Sequence, residues 1–308
     1  MIKIQENVPL APHTAFRIGG PAKFFVEVKS QEELEEAVLY AEKNNLWIFI
    51  LGGGSNILVS DQGFSGLVIK ILIDSISAKE TALECGAGVR LSEIVSLATR
   101  NNLSGLEWAA GIPGTLGGAI RGNAGAFGGE IGSSMKSVKA FNLENKKTET
   151  LKKTECEFAY RDSIFRKNSS LVVVSATLEL KKGSREEIEK RIQENIKKRI
   201  ERQPQGVTSA GSFFENPIVT SKEVIRRYEE DTGNEVVGYR MSAGWLISDV
   251  GFLGKKIGGA KVSEKNGNFV VNLGDAKAED VVMLASLIKQ KVRKLGVQLR
   301  EEVKLVGF

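Results

Sequence analysis

The chain has 308 residues, of which 42% are hydrophobic and 26% charged, with a formal net charge of +5. That suits a globular protein of two or three domains; no apolar run approaches the roughly 18 residues needed to cross a bilayer, and the Lys and Arg residues are interleaved with Glu rather than gathered into a nucleic-acid patch. A single histidine, His13, excludes His-pair metal motifs, two cysteines in unrelated segments (Cys85 and Cys156) cannot build a zinc cluster alone, and acid–base chemistry is left to Ser, Glu, Asp, Lys, Tyr or a cofactor.

The opening MIKIQENVPLAPHT has no basic segment ahead of an apolar one, so no signal peptide is expected and the cytoplasm is the expected compartment. Residues 30–44 read as a helix: Ser30 and Glu33 form a capping box, and Leu34, Ala37, Val38 and Ala41 make one apolar face. Residues 47–51 (WIFIL) are a buried strand running into Gly52-Gly53-Gly54, and 67–73 a second strand. A strand over 81–85 and a helix over 91–101 follow. Residues 138–142 and 171–180 alternate as strands. Ser184 and Glu187 open a charged helix with Ile188, Ile192, Ile196 and Ile200 along one stripe, which Pro204 and Gly206 terminate. Beyond it, 242–250 and 278–295 read as helices, and 260–262, 268–272 and 297–306 as strands. Both cysteines read as buried thiols.

Two glycine clusters carry the chemistry. Residues 110–129 read AGIPGTLGGAIRGNAGAFGG, eight glycines in twenty residues, and 51–61 read LGGGSNILVSD. Glycine loses the most backbone entropy on ordering, so such runs suit main chain that turns tightly against a ligand. Two of them suggest a large phosphate-bearing ligand held by main-chain N–H groups. The spacing is not that of a Rossmann site, because Gly52-Gly53-Gly54 leads into another strand-like run rather than a helix.

HTAFRIGGPA, LGGGSNILVSD, AGIPGTLGGAIRGNAGAFGGEI, FAYRDSIFR, SAGSFFENP, SAGWLI and REEV occur in this order over nearly the whole chain. Together they resemble the UDP-N-acetylenolpyruvoylglucosamine reductase family. The resemblance implies an α+β fold: an FAD-binding region of the vanillyl-alcohol-oxidase type in two α/β subdomains (1–75 and 76–182), a connecting helix (183–203) and an α+β substrate-binding domain (204–308). It implies non-covalent FAD, NADPH as co-substrate and UDP-N-acetylglucosamine enolpyruvate as substrate, in peptidoglycan synthesis, with no metal, nucleic-acid or membrane partner and a monomeric state. FAD would lie on Gly52, Gly53, Gly54, Ser55, Asn56, Ile112, Pro113, Gly114, Gly117, Gly118, Ala119, Asn123 and Gly125. By the family pattern Arg161 and Glu302 stabilise the enediolate formed on hydride addition, Ser212 donates the proton, and Tyr160, Arg202 and Asn216 bind substrate. Glu301, beside Glu302, is expected to face the other way.

Three departures stand out. Glu215 replaces the lysine common in the family, Asn266 stands where many members have histidine, and no tyrosine loop follows YRDSIF. Two alternatives remain open on the residues alone: another flavoenzyme of the same broad fold, and a flavin-binding module without turnover.

Overall fold

The computed structural model describes residues 2–308. It forms two compact units. The first holds residues 2–8, Ala22–Gly54 and Ser65–Glu201, and the second Pro9–Pro21, Ser55–Phe64 and Arg202–Phe308. Two N-terminal segments expected in the first FAD-binding subdomain therefore cluster with the C-terminal residues.

In the first unit a four-stranded sheet runs in the order Gln5–Pro9, Pro21–Val28, Phe64–Ile71, Ile48–Leu51, the last two strands parallel. Helix α1 (Gln31–Lys43) buries the expected Leu34, Ala37, Val38 and Ala41. Ser30 Oγ accepts from Glu33 N at 3.2 Å, but the Glu33 carboxylate reaches one residue further back than a capping box requires, to Lys29 N at 2.6 Å. A five-stranded antiparallel sheet follows in the order Thr148–Lys152, Met135–Asn142, Leu171–Glu179, Ala82–Gly86, Ile76–Lys79. Helices α2 (Leu91–Arg100), α3 (Leu116–Arg121) and α4 (Ile164–Lys167) accompany it, and one hydrophobic core runs through both sheets. Both cysteines are buried free thiols. Burial, reinforced by the neighbouring Glu84 and Glu155, pushes Cys85 up to about 12 and Cys156 up to about 11, so each stays protonated and unreactive.

Helix α5 (Arg185–Arg202) closes the first unit. Its isoleucine stripe is only partly a core contact. Ile188 is buried, whereas Ile196 and Ile200 are exposed. Polar side chains grip instead: Asn195 Nδ2 donates to Glu107 O at 3.1 Å and Arg199 Nε to Ala110 O at 3.3 Å.

The second unit is built on a four-stranded antiparallel sheet, Thr208–Ser212, Phe269–Asn272, Ala260–Val262, Lys256–Ile257. Helices α6 (Lys222–Thr232), α7 (Ala243–Asp249) and α8 (Ala278–Arg293) pack around it. Along α8 the buried Val281, Leu284, Ala285, Ile288 and Val292 recur at helical spacing, and the Asp61 carboxylate caps its start by accepting from Ala278 N at 3.0 Å and Glu279 N at 3.2 Å. Residues 297–306 were expected as one strand, but only Lys304–Val306 is regular. It pairs in parallel with Ile57–Val59, which explains why residues 55–64 belong to this unit. Helix α6, absent from the sequence reading, starts at the Ser221 cap and stops at left-handed Gly233. Among the described residues no helix is long and apolar enough to cross a membrane.

Candidate active site

The glycine clusters meet in the first unit. A Cβ on Gly52 would lie 2.8 Å from Thr115 Oγ1, and one on Gly53 2.9 Å from Gly114 Cα. Real Cβ atoms essentially never come so close to another heavy atom, so the two loops approach to a distance only glycine permits. Thr115 Oγ1 is buried and has no hydrogen-bond partner among the described residues. A buried hydroxyl without a partner costs roughly 1–3 kcal/mol, so one placed in a glycine cradle fits an incoming anionic acceptor. Glycine main chain and this hydroxyl together fit the pyrophosphate of FAD. Gly53→Ala is expected to lower the apoprotein's melting temperature by several degrees and to weaken FAD at least about tenfold, since the new methyl meets main chain that cannot move aside cheaply and pushes the two loops apart. Fluorescence titration of the apoprotein with FAD measures it; unchanged affinity would remove Gly53 from the cradle.

Not every expected cofactor residue keeps a group to offer. Gly117 N and Ala119 N are spent on Ala87 O and Thr115 O, both at 2.9 Å, and the Ala119 side chain is buried. Ile112 packs on the hydrophobic core, while Pro113 and Gly118 are exposed. Gly125 sits in a hairpin in which its Cβ would meet Gly129 O at 2.6 Å, with Phe127 (φ 51°) and Gly128 (φ 85°) at the tip. Gly54 closes the first-unit part of its loop at φ 64°, whereas Ser55 and Asn56 belong to the second unit. Asn123 is 1% exposed, and both ends of its amide are bonded to main chain: Nδ2 to Ala159 O at 2.8 Å and Oδ1 from Gly132 N at 3.0 Å.

Arg199 holds the two ends of the 110–129 glycine run. Beside its bond to Ala110 O, its guanidinium lies 5.3 Å from the Phe127 ring centroid, and its side chain fills the space that a Cβ on Gly111 would enter. Burial lowers its pKa from the ordinary arginine value. The sequence reading missed Thr115 and Arg199. The first was legible as a lone hydroxyl inside the glycine run, the second only through tertiary contacts.

Arg161 also lies in the first unit, on a two-residue turn. Ala159 and Asp162 exchange main-chain bonds of 3.0 Å each, leaving Tyr160 and Arg161 at the tip. Arg161 has φ 55°, a conformation that a bulky residue adopts only when its surroundings impose it, and its guanidinium stands 5.4 Å from the Tyr160 centroid.

Ser212 and Glu302 come together in the second unit. Ser212 ends its strand directly after a bulge at Gly211 (φ 79°), a device that turns the next side chain. Glu302 N donates to Phe213 O at 2.8 Å, so the two residues lie on adjoining main-chain segments. Glu301 pairs instead with Lys289 of α8 at 2.7 Å, consistent with the expected alternation. Asn56 holds this segment: its Nδ2 donates to Glu302 O at 3.1 Å, and its own carbonyl accepts from Lys304 N at 3.1 Å.

Asn216 Oδ1 accepts from Ala243 N at 3.0 Å at the start of α7, and its carbonyl accepts from Arg240 Nη1 at 2.7 Å. Arg202 is exposed at the end of α5, and Asn266 holds its carbonyl through Nδ2 at 3.1 Å. Asn266 thereby fixes the main chain of Arg202, a role that its type and position did not disclose.

The C-terminal part matches a family model described as UDP-N-acetylenolpyruvoylglucosamine reductase, C-terminal domain, over residues 203–306, and an FAD binding domain model matches residues 22–150. The chain is similar to the UDP-N-acetylenolpyruvoylglucosamine reductase of Lachnoclostridium phytofermentans, 40% identical and covering 99% of this chain and 93% of that one. That of Anoxybacillus flavithermus is 38% identical, covering 99% and 94%. Among solved structures, the UDP-N-acetylenolpyruvylglucosamine reductase from Thermus caldophilus superposes with a TM-score of 0.81 at 31% identity, covering 99% of this chain and 100% of that one.

Proposed function

The chain belongs to the UDP-N-acetylenolpyruvoylglucosamine reductase family, with an α+β fold that joins an FAD-binding domain of the vanillyl-alcohol-oxidase type to the family's C-terminal domain, and from that premise we propose how its residues do the work. The reaction consumes NADPH and one proton and converts the enolpyruvyl ether of UDP-N-acetylglucosamine to the lactyl ether, a cytoplasmic step of peptidoglycan synthesis. Bound FAD supplies the hydride that it receives from NADPH, which no protein side chain could deliver. Gly52, Gly53, Gly54, Gly114 and Thr115 hold the cofactor.

Hydride addition at the terminal carbon of the double bond places negative charge on the adjoining carboxylate as an enediolate. Arg161 stabilises that charge: its planar fork matches a carboxylate, and the attraction grows as charge develops. Glu302 acts together with Arg161 at the substrate carboxylate, where the enediolate forms. Ser212 delivers a proton to the carbon bearing the ether oxygen, and solvent returns it to the hydroxyl. Tyr160, Arg202 and Asn216 bind the rest of the substrate, Arg202 and Asn216 toward its diphosphate.

The observation that carries this reading is the juxtaposition of Ser212 and Glu302 through the bond from Glu302 N to Phe213 O, next to a bulge that turns Ser212. The test is direct. Purified protein should show flavin absorption, and NADPH oxidation should accelerate when UDP-N-acetylglucosamine enolpyruvate is added, with the lactyl ether detected by mass. Absence of flavin bands, both as purified and after FAD is supplied, would overturn the assignment.

A further inference from the structure

The turn carrying Arg161 is held from two sides by residues that the reaction itself does not use. Ala159 O accepts twice, from Asp162 N at 3.0 Å within the turn and from Asn123 Nδ2 at 2.8 Å outside it. Asn123 is anchored in turn by Gly132 N at 3.0 Å and sits at φ 41°, itself left-handed. On the far side of the tip, Arg166 of α4 donates from Nη1 to the carbonyl of Arg161. The fully buried Ser163 ties the exit of the turn, its Oγ donating to Arg121 O at 2.8 Å and its N–H to Asp162 Oδ1 at 2.9 Å. Left-handed backbone at a non-glycine residue persists only where neighbours impose it, and here those neighbours are named.

We propose that Asn123 and Arg166 are positioning residues for Arg161, holding the 159–162 turn in the left-handed form that aims its guanidinium, and that the Asn123 side chain is not a ligand of the cofactor. The proposal rests on the reading of Arg161 given above. It reassigns Asn123, whose place in the glycine run pointed to FAD, because both polar ends of its side chain are bonded to main chain. A displacement of the guanidinium by about 1 Å is enough to slow a reaction on the order of 100-fold.

The test uses the FAD-loaded enzyme. Asn123→Gly is the informative variant, because glycine adopts φ 41° without strain; it removes the clamp on Ala159 O together with the acceptor of Gly132 N. Flavin content and the rate at which NADPH bleaches the flavin should stay at wild-type values. The rate at which the enolpyruvyl substrate restores the flavin colour should fall about 10- to 100-fold, with less than about a threefold change in substrate KM. Arg166→Met should behave alike, and Arg166→Lys, which keeps a donor, should recover most of the loss. In an Arg161→Asn background, Asn123→Gly should cost nothing more, because residues acting through one group are not additive. A tenfold loss of FAD affinity in Asn123→Gly with an unaltered second half-reaction would make Asn123 a cofactor residue and end the proposal. Full additivity with Arg161→Asn would end it too. If Arg161→Asn alone turns over like wild type, the reading of Arg161 fails first, and that single variant reveals it. Should Asn123→Gly not fold, the Arg166 pair decides the outcome.

Discussion

Ser212→Ala is expected to bind FAD normally and to be reduced by NADPH at the wild-type rate, yet to pass the electrons to the enolpyruvyl ether about 10²- to 10⁴-fold more slowly. The magnitude follows from the role. Hydride addition without a proton leaves an enediolate, a high-energy carbanion equivalent that goes forward to product only where an acid protonates it. The substitution is mild for the fold, because Ser212 is half-buried at a strand end and the bulge is set by Gly211 at φ 79° rather than by the hydroxyl. Separating the half-reactions by stopped flow makes the outcome specific, since a misfolded or cofactor-poor variant would lose both. Ser212→Cys should regain part of the lost rate, because a thiol is a stronger acid than an alcohol. A Ser212→Ala enzyme with an undiminished second half-reaction would transfer the proton donation to another group, and Glu302, whose main chain adjoins Phe213, would be examined next.

Much of this was legible in the residues because local physics decided it. The apolar faces of α1 and α8 follow helical spacing, and both helices lie where that spacing put them, with Ser30 capping the first. Glycine runs marked the loops that approach within Cβ distance of one another. What was not legible is long-range. Residues 55–64 join the C-terminal unit through pairing of Ile57–Val59 with Lys304–Val306, a contact that no local pattern announces. Helix α6 was overlooked because its apolar face is short: Val224, Ile225 and Tyr228 pack on the core of the second unit amid charged residues. Helix α5 was read by its isoleucines, yet Asn195 holds Glu107 O just before the glycine loop and Arg199 holds the loop's start at Ala110 O, polar contacts that hydrophobic periodicity does not register. The left-handed backbone of Arg161 is imposed by Asn123 and Arg166 from outside its own segment, and nothing in the string YRDS encodes it.

Arg161 is therefore where the second large effect is expected. Arg161→Asn should reduce turnover about 10²- to 10³-fold, the range found when a preorganised donor to a developing oxyanion is removed. Asparagine is the right probe because it tolerates φ 55° better than alanine, so the turn stays intact while the cation is lost. Arg161→Lys should fall between, for a lysine keeps the charge but not the bidentate fork, and it loses the planar face that lies 5.4 Å from the Tyr160 ring centroid. The division between kcat and KM carries the mechanism. The substrate carboxylate is already charged in the ground state, so some KM increase is expected in both variants. The enediolate carries additional charge, so the larger loss must fall on kcat. A change confined to KM would mean that Arg161 only anchors the substrate, and the stabilisation of the enediolate would then have to come from elsewhere. Salt gives an independent check: a half-buried guanidinium acting at contact distance is weakly screened, so the kcat ratio between wild type and Arg161→Asn should hold nearly constant as ionic strength rises.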